Sequence, residues 1–568
     1  MNTDFSAPGE KQWNAEQERT NDAGTMKQDL SDKDGQNERA QTKLDSLGEK
    51  DPEKFGGQVT VEDDASAERA RDNGVDEIFL YKVGLINSTM SQIGWGAYHY
   101  KLFMLCSLGF LNDNIWLQGV AIILPQITRE LSPPGGHVAF VTLSLYVGLI
   151  LGASLWGVSA DIVGRRLSFN ITLGLSGVFG LAAGASPNFV ALCSLIACTG
   201  FGVGGSLPVD STFFLDQVPA AQQWTLVLMS LWWSVGQLIA SLIAWVFIVN
   251  FSCPDNVPCT NQNNQGWRYT LYTLGALTTA MFLVRFLVFK VQESPKYLIA
   301  RGRDQEALDV MHTIAKANGK EISLTLRDLQ LRSPDSDMSE IKYTNKELVK
   351  RALAEVSLAH VKPLFSTTKL AINFTLLMWL WLAIGIAYPL YNAFLPTFLA
   401  QKAASASAAT SVNTTYKNYA IISTSGIPGS LFASWLVERT RSGGKFSLGG
   451  RKLALAVSTV AVGVFLFIFT IATTNSAVLG INYAAGFFQN SMYGILYCVS
   501  PESIPSPNRG TAEAILSSLN RIGGLQAPII ATYAGLTTSI PLYVSASLFV
   551  ISGIVACFLR ETAGKAAL

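Results

Sequence analysis

Lys101–Ile127 reads KLFMLCSLGFLNDNIWLQGVAIILPQI, and this stretch decides the fold. A helix crosses a bilayer with about 20 mostly apolar residues. The run exceeds that length, with Lys101 at its edge and Asp113 as its single acid. Eleven further segments of the same kind follow. Residues 138–160, 166–186, 188–214, 225–250 and 268–291 complete one set of six. Residues 368–399, 416–437, 452–473, 477–499, 511–535 and 539–559 form another. The expected fold is therefore an all-α membrane protein, with twelve transmembrane helices in two six-helix halves, 101–291 and 368–560. Six plus six is an architecture in which two halves rock about a site near the bilayer midplane. Movement of a solute across a membrane is the expected function.

Whole-chain averages hide this partition. The chain is 49% hydrophobic yet 15% charged, with net charge +1 and mean hydropathy +0.29. Much of the acid lies in residues 1–75, including Asp29, Asp32, Asp34, Glu62, Asp63 and Asp64. That composition buries too little apolar surface to offset chain entropy, so a disordered cytosolic tail is expected. The polar N-terminus lacks the apolar core of a signal peptide, which leaves the first span as its own insertion signal. Residues 76–100 mix apolar and polar positions at helical spacing and suggest an amphipathic surface helix. Residues 292–367 are a linker with helix-forming runs, and 561–568 a second short tail. The charge balance gives no reason to expect a nucleic-acid partner. No phosphate loop or external catalytic domain is evident, so neither an enzyme nor ATP coupling is expected. No cofactor or metal is implied, and the partners expected are a small-molecule substrate, protons and lipid, with the chain a monomer.

Basic residues orient the spans. Arg165 and Arg166 lie between spans 2 and 3, and Arg439, Arg441, Lys445, Arg451 and Lys452 between spans 8 and 9. Arg509 precedes span 11, while the opposite loops are poor in Lys and Arg. The positive-inside bias puts both termini in the cytosol, with the plasma membrane favoured. Cys253 and Cys259 then fall in an outer loop, where a disulfide is allowed; two unpaired thiols are the alternative. Cys106, Cys193, Cys198, Cys498 and Cys557 fall inside spans and read as packing residues. Asn413-Thr-Thr is a glycosylation sequon in an outer loop, whereas the sequons at Asn170 and Asn373 lie in or beside spans and should be silent.

The halves repeat. Lys101-Leu102 and Lys369-Leu370 open them, and Glu293 and Glu561 close them at the same offset. Asp216-x-x-Pro219 before Gln223-Trp224 has its counterpart in Glu502-x-x-Pro505 before Arg509-Gly510. Gly157-x-x-x-Asp161-x-x-Gly164-Arg165-Arg166 is answered by Glu438, an insertion, and Gly450-Arg451-Lys452. Several matches in one order point to duplication. The Gly-x-x-x-Asp-x-x-Gly-Arg-Arg loop resembles the signature of the major facilitator superfamily. Gly202-Val-Gly-Gly-Ser-Leu-Pro-Val, Gln292-Glu-Ser-Pro-Lys-Tyr-Leu and Pro501-Glu-Ser-Ile-Pro resemble its sugar-porter branch. Asn112-Asp113-Asn114 and Arg521-Ile-Gly-Gly look closest to the vesicle-type, metabolite–proton symporter group. The Gln-Gln-x-Ser-Gly that a sugar porter shows in span 7 is missing.

The resemblance covers roughly residues 95–562 and implies a cytosolic-side gate built from loop charges. Its members would be Asp161, Arg165, Arg166, Asp216 and Glu293 in the first half, and Glu438, Arg451, Glu502 and Arg509 in the second. Two discrete pairings make such a cluster bistable; topology enforcement alone is the plainer role for Arg165 and Arg166. Gln223 stands where the second half has Arg509, so the first-half relay lacks a cation.

Ionisable residues inside spans are costly and so suggest function. Asp113 at mid-depth in span 1 and Asp210 late in span 4 are candidate proton carriers, Asp113 the stronger. The plainer roles are a polar pair with Asn112 for Asp113 and gate membership for Asp210. Arg521 could take a carboxylate bidentately or bond backbone carbonyls. Candidate cavity residues are Asn114, Gln118, Trp232, Trp233 and Gln237 in the first half. In the second they are Tyr388, Tyr391, Asn392, Gln489, Asn490, Tyr493 and Tyr497. Gln489, Tyr493 and Tyr497 recur at i, i+4 and i+8 and share one helix face. Pro389 is expected to break span 7 near an outer gate. The reading reached is a proton-coupled symporter of a small organic solute, with an organic anion favoured. A sugar or other neutral solute is the alternative within transport, and a non-transporting receptor on the same fold is the alternative outside it.

Overall fold

The computed structural model describes residues 77–560, except 134, 136, 220–221, 223–224, 254–256, 289–290, 331–360, 407–411, 442–449, 505–508 and 537. The chain divides into two compact units, Met1–Glu77 and Ile78–Leu568. The first lies outside the described residues but for its last, so the acidic tail is not described; nor is the tail 561–568.

The chain is an all-helical membrane protein, and no strand occurs among the described residues. A helix α1 spans Glu77–Ile93, and the first half follows as α2 (Ala97–Glu130), α3 (Phe140–Val163), α4 (Arg165–Gly184) and α5 (Phe189–Gln217). A short α6 (Thr225–Leu228) leads into α7 (Leu231–Phe251), and α8 (Gly266–Leu283) ends in a wider π turn, Val284–Val288. The linker forms α9 (Pro295–Ala300), α10 (Asp304–Ala317) and α11 (Leu326–Gln330). The second half contains α12 (Thr368–Asn392), α13 (Leu395–Ala406), α14 (Val412–Thr424), α15 (Gly426–Arg441), α16 (Gly450–Ile471), α17 (Asn475–Glu502), α18 (Arg509–Ala534) and α19 (Ile540–Ala556).

Seven of these helices are long and apolar enough to cross a membrane on length and hydropathy alone. The other five spans of the twelve fall short for local reasons. α2, α17 and α18 carry polar residues on faces turned to other helices, which lowers mean hydropathy without preventing a crossing. α19 is 17 residues long. The eighth span is not the continuous helix expected over 416–437. It is broken at Ser425 into α14 and α15, where a Cβ on Gly426 would come within 2.6 Å of Ser234 Oγ and 2.8 Å of Asn490 Nδ2. The seventh span also departs from expectation. Pro389 lies inside α12 rather than breaking it, and the helix runs on to Asn392, where Ala393 N–H donates to the Pro389 carbonyl at 3.0 Å. The chain turns only at Ala393 and Phe394, the latter fully buried.

Without water between helices, association rests on close packing. Cβ atoms on Gly148, Gly200 or Gly204 would collide with backbone of the facing helix, so α3 and α5 lie in direct main-chain contact. Between halves, α3 packs on α18 and α7 on α14, while α13 leans on α2. The bundle has two ends. The linker face carries α9–α11; the disulfide face carries Cys253 and Cys259, which are bonded to each other with Cα atoms 5.5 Å apart.

The surface helix expected over 76–100 ends at Ile93, and Ala97–Tyr100 belong to α2. Its apolar face (Ile86, Met90, Ile93) is covered by Leu298, Met311 and Ile314 of the linker. This small helical cap is tied to the bundle through polar bonds. Asn318 Oδ1 accepts from Tyr98 N–H at 3.0 Å, and His99 Nε2 lies 3.0 Å from the Gln217 carbonyl.

Candidate functional site

Helix rotation sorts the polar triplet of α2. Asn112 turns into its own half, where Nδ2 donates to Ser176 Oγ at 3.1 Å and Oδ1 accepts from Thr278 Oγ1 at 3.2 Å. Asp113, one residue and about 100° further round, does not pair with it. Among the described residues Asp113 has no hydrogen bond or ion pair, and it is 7% exposed. It lies within electrostatic reach of Arg521, Tyr388 and Tyr497. Asn114 is buried beside Gly236, and Gln118 accepts a hydrogen bond from Tyr419 of the other half.

Rings from both halves meet at this depth. Tyr497 packs edge-on to Trp381 at 4.9 Å and 79°, and against Trp233 at 5.4 Å. Trp233 touches Phe110 at 5.5 Å; Tyr388 and Tyr493 meet at 5.0 Å and 90°. Trp381 is fixed by donating to Ser500 Oγ at 2.8 Å. Trp232 joins no ring pair among the described residues and packs against the apolar core. Asn392 Nδ2 donates to Gln489 Oε1 at 2.9 Å, and Tyr391 O–H to Asn482 Oδ1 at 2.6 Å. Gln489 Nε2 and Trp233 Nε1 are buried donors with no acceptor among the described residues. Gln237 is buried next to Tyr419, and Asn490 Oδ1 accepts from Ser234 Oγ at 3.2 Å across the two halves.

Arg521 bridges the halves. Its Nη1 donates to the Leu149 carbonyl of α3 at 3.1 Å, and no second hydrogen bond to this guanidinium occurs among the described residues. A guanidinium carries five donors, so most of the fork is left for another acceptor.

Asp210 has a different setting. Arg285 Nη2 reaches its Oδ2 at 2.8 Å and Nη1 its Oδ1 at 3.4 Å, with both side chains at zero exposure. The same guanidinium donates to the carbonyls of Leu105 (2.6 Å) and Phe169 (2.8 Å) and stacks on the Phe169 ring at 3.6 Å. One ion pair thus joins α2, α4, α5 and the π turn after α8.

On the linker face the duplication is visible in three dimensions. Arg165 pairs with Asp216 and Arg451 with Glu502, each 51 residues apart in sequence. Each arginine follows a glycine of positive φ, Gly164 at 117° and Gly450 at 74°. Linker residues join the first-half cluster. Ser294 Oγ donates to Asp216 Oδ2 at 2.6 Å. Glu293 accepts the Arg166 backbone N–H at 3.1 and 3.2 Å, which places a carboxylate at the positive end of α4. Lys296 stands beside these groups; burial, and then the Arg165 charge, lower its pKa to about 8. The side chains of Asp161, Glu438 and Arg509 lie outside the described residues.

At the disulfide face Asn413 is exposed, its Oδ1 accepting from Trp245 Nε1 at 2.7 Å. Sequence reasoning missed the nearby pair of Arg268 and Glu130 at 2.7 Å, 6% and 4% exposed. It also missed Phe110, Tyr146, Trp381 and Tyr419 around the central site. The only sequence signal for these four was their place in spans opposite polar ones.

The family model described as Major Facilitator Superfamily matches residues 102–449. The MFS siderochrome iron transporter 1 of Ceriporiopsis subvermispora is 44% identical over 498 residues, covering 87% of this chain and 93% of that protein. The niacin transporter NiaP of Acinetobacter baylyi is 26% identical over 448 residues, 78% of this chain and 89% of that one. Among solved structures, the partially occluded inward open xylose transporter XylE of E. coli superposes with a TM-score of 0.60. It covers 83% of this chain and 100% of its own at 16% identity, a likeness of fold alone.

Proposed function

The chain belongs to the major facilitator superfamily, and on that premise we propose a proton-coupled symporter of a small organic anion, working by alternating access. We place it in the plasma membrane with both termini and the linker face in the cytosol, following the positive-inside bias. The observation that carries the reading is the unbonded carboxylate of Asp113 within electrostatic reach of Arg521. While Asp113 is ionised, its charge offsets that of Arg521 and an incoming anion finds little net attraction. A proton on Asp113 removes the offset, so the anion and the proton favour each other's binding. Neither binds well alone, which couples solute movement to the proton gradient. Asp210 has no such freedom beside Arg285 and serves structure. The Arg165–Asp216 and Arg451–Glu502 pairs, on opposite halves of the linker face, act as the gate that opens toward the cytosol.

The name of one relative agrees in chemistry, since niacin is a carboxylic acid. A neutral solute is the second reading, supported by the commitment of Arg521 Nη1 to the Leu149 carbonyl. Uptake into proteoliposomes separates the two. Arg521→Lys should weaken carboxylate uptake by tenfold or more while sparing any neutral solute, because the planar fork is lost but the charge kept. Equal loss for both classes would sink the anion reading.

A further inference from the structure

The central site has two polar poles with a wall of rings between them. The first is Arg521 with Asp113 and Tyr497. The second is the Asn392–Gln489 amide pair. Gln489 and Tyr497 sit eight residues apart on α17, a rise of about 12 Å. Along that rise Tyr493 meets Tyr388 at 90°, and Tyr497 meets Trp381 at 79°. Edge-to-face pairs of this kind leave ring faces for another flat ring, and each such contact favours a ring over an aliphatic group by roughly 2- to 10-fold.

Besides the Asp113 carboxylate, the buried polar atoms left open among the described residues of the site, Gln489 Nε2 and Trp233 Nε1, are donors. Gln489 is 2% exposed, its Oε1 is taken by Asn392, and its Nε2 has no acceptor among the described residues. Trp233 Nε1 is likewise open, on the ring that touches Tyr497 near the first pole. A buried donor without an acceptor is costly, and an indole N–H can only donate. Aromatic faces with Asp113 would also suit an organic cation, but a cation brings no acceptor to either orphan.

Resting on the organic-anion reading above, we propose that the substrate is a planar aromatic monocarboxylate with a hydrogen-bond acceptor at the far end of its ring. Its carboxylate meets Arg521 and the Trp233 N–H, its ring lies along Tyr388, Tyr493 and Tyr497, and its distal acceptor takes the Gln489 amide.

The test is thermal-shift titration of the full chain with pyridine-4-carboxylate, benzoate, cyclohexanecarboxylate, benzamide and phenyltrimethylammonium, since a ligand stabilises the state it binds. The half-saturating concentration should rise about tenfold from pyridine-4-carboxylate to benzoate, the value of one buried hydrogen bond. It should rise about tenfold again to cyclohexanecarboxylate as ring contacts are lost. Gln489→Leu should erase the first step and keep the second. Equal binding of benzoate and cyclohexanecarboxylate overturns the aromatic inference and leaves the anion reading standing. Benzamide matching benzoate overturns the anion reading itself. Tightest binding by phenyltrimethylammonium, or no shift with any probe, overturns the proposal.

Discussion

The first half buries two carboxylates and treats them in opposite ways. Near the linker face Asp210 is enclosed: Arg285 holds both its oxygens, the same guanidinium caps two carbonyls, and neither side chain is exposed. At mid-depth Asp113 keeps slight exposure and has no bonding partner among the described residues. A buried charge that is fully paired is structural capital that resists change, whereas one left unpaired can change protonation without breaking a bond.

The comparison can be broken from either side. The largest effect is expected at the enclosed pair. Arg285→Met strands a charge at zero exposure and should lower stability by about 3–5 kcal/mol, read as loss of thermal stability in purified protein. Asp210→Asn combined with Arg285→Met should recover much of that loss. If the single variant is as stable as the unmodified protein, the pair does not hold the helices together.

A middle-sized effect is expected at the gate. Asp216 beside Arg165 is 11% exposed, whereas Glu502 beside Arg451 is 32% exposed and more screened by solvent. Asp216→Asn should favour opening at the linker face more than Glu502→Gln, by about 1.5–3 kcal/mol for a charged hydrogen bond. Labelling rates of cysteines placed at that face report the shift. Equal rates in the two variants would mean that the halves contribute alike.

The smallest effect is at Lys296. Burial and then Arg165 depress its pKa to about 8 in the folded chain, against an ordinary 10.5. Between those values the unfolded chain holds the extra proton, so stability rises with pH over that window and the cost of charging is present below it. Lys296→Gln should flatten this slope while leaving the response at Asp113 untouched. An unchanged slope would remove Lys296 from the gate's charge balance.

Much of this contrast was legible before the structure. Hydrophobic runs marked the spans because apolar length is a direct demand of the bilayer, and Asp113 and Asp210 stood out against them. The repeat was legible because Gly164-Arg165 and Gly450-Arg451 are short local patterns at helix ends. The pairing of Asp210 with Arg285 was not, since 75 residues separate them and only packing brings them together. Nor could the choice of Trp233 over Trp232 be read, because adjacent residues differ by a rotation that only neighbouring helices fix. Phe110, Tyr146, Trp381 and Tyr419 looked like ordinary packing residues for the same reason. The breaks at Ser425 and Ala393 do have a local signal in proline, since Pro428 has no N–H for the Thr424 carbonyl and Pro396 none for that of Asn392.

The most direct measurement is uptake of a carboxylate such as benzoate into proteoliposomes with an imposed pH gradient, comparing the unmodified protein with Asp113→Asn and Asp210→Asn. Accumulation driven by the gradient should vanish in Asp113→Asn while gradient-independent exchange persists. Asp210→Asn should lose stability and transport together in proportion to the folded fraction. Gradient-driven accumulation that survives in Asp113→Asn would contradict the assignment of the proton to that carboxylate.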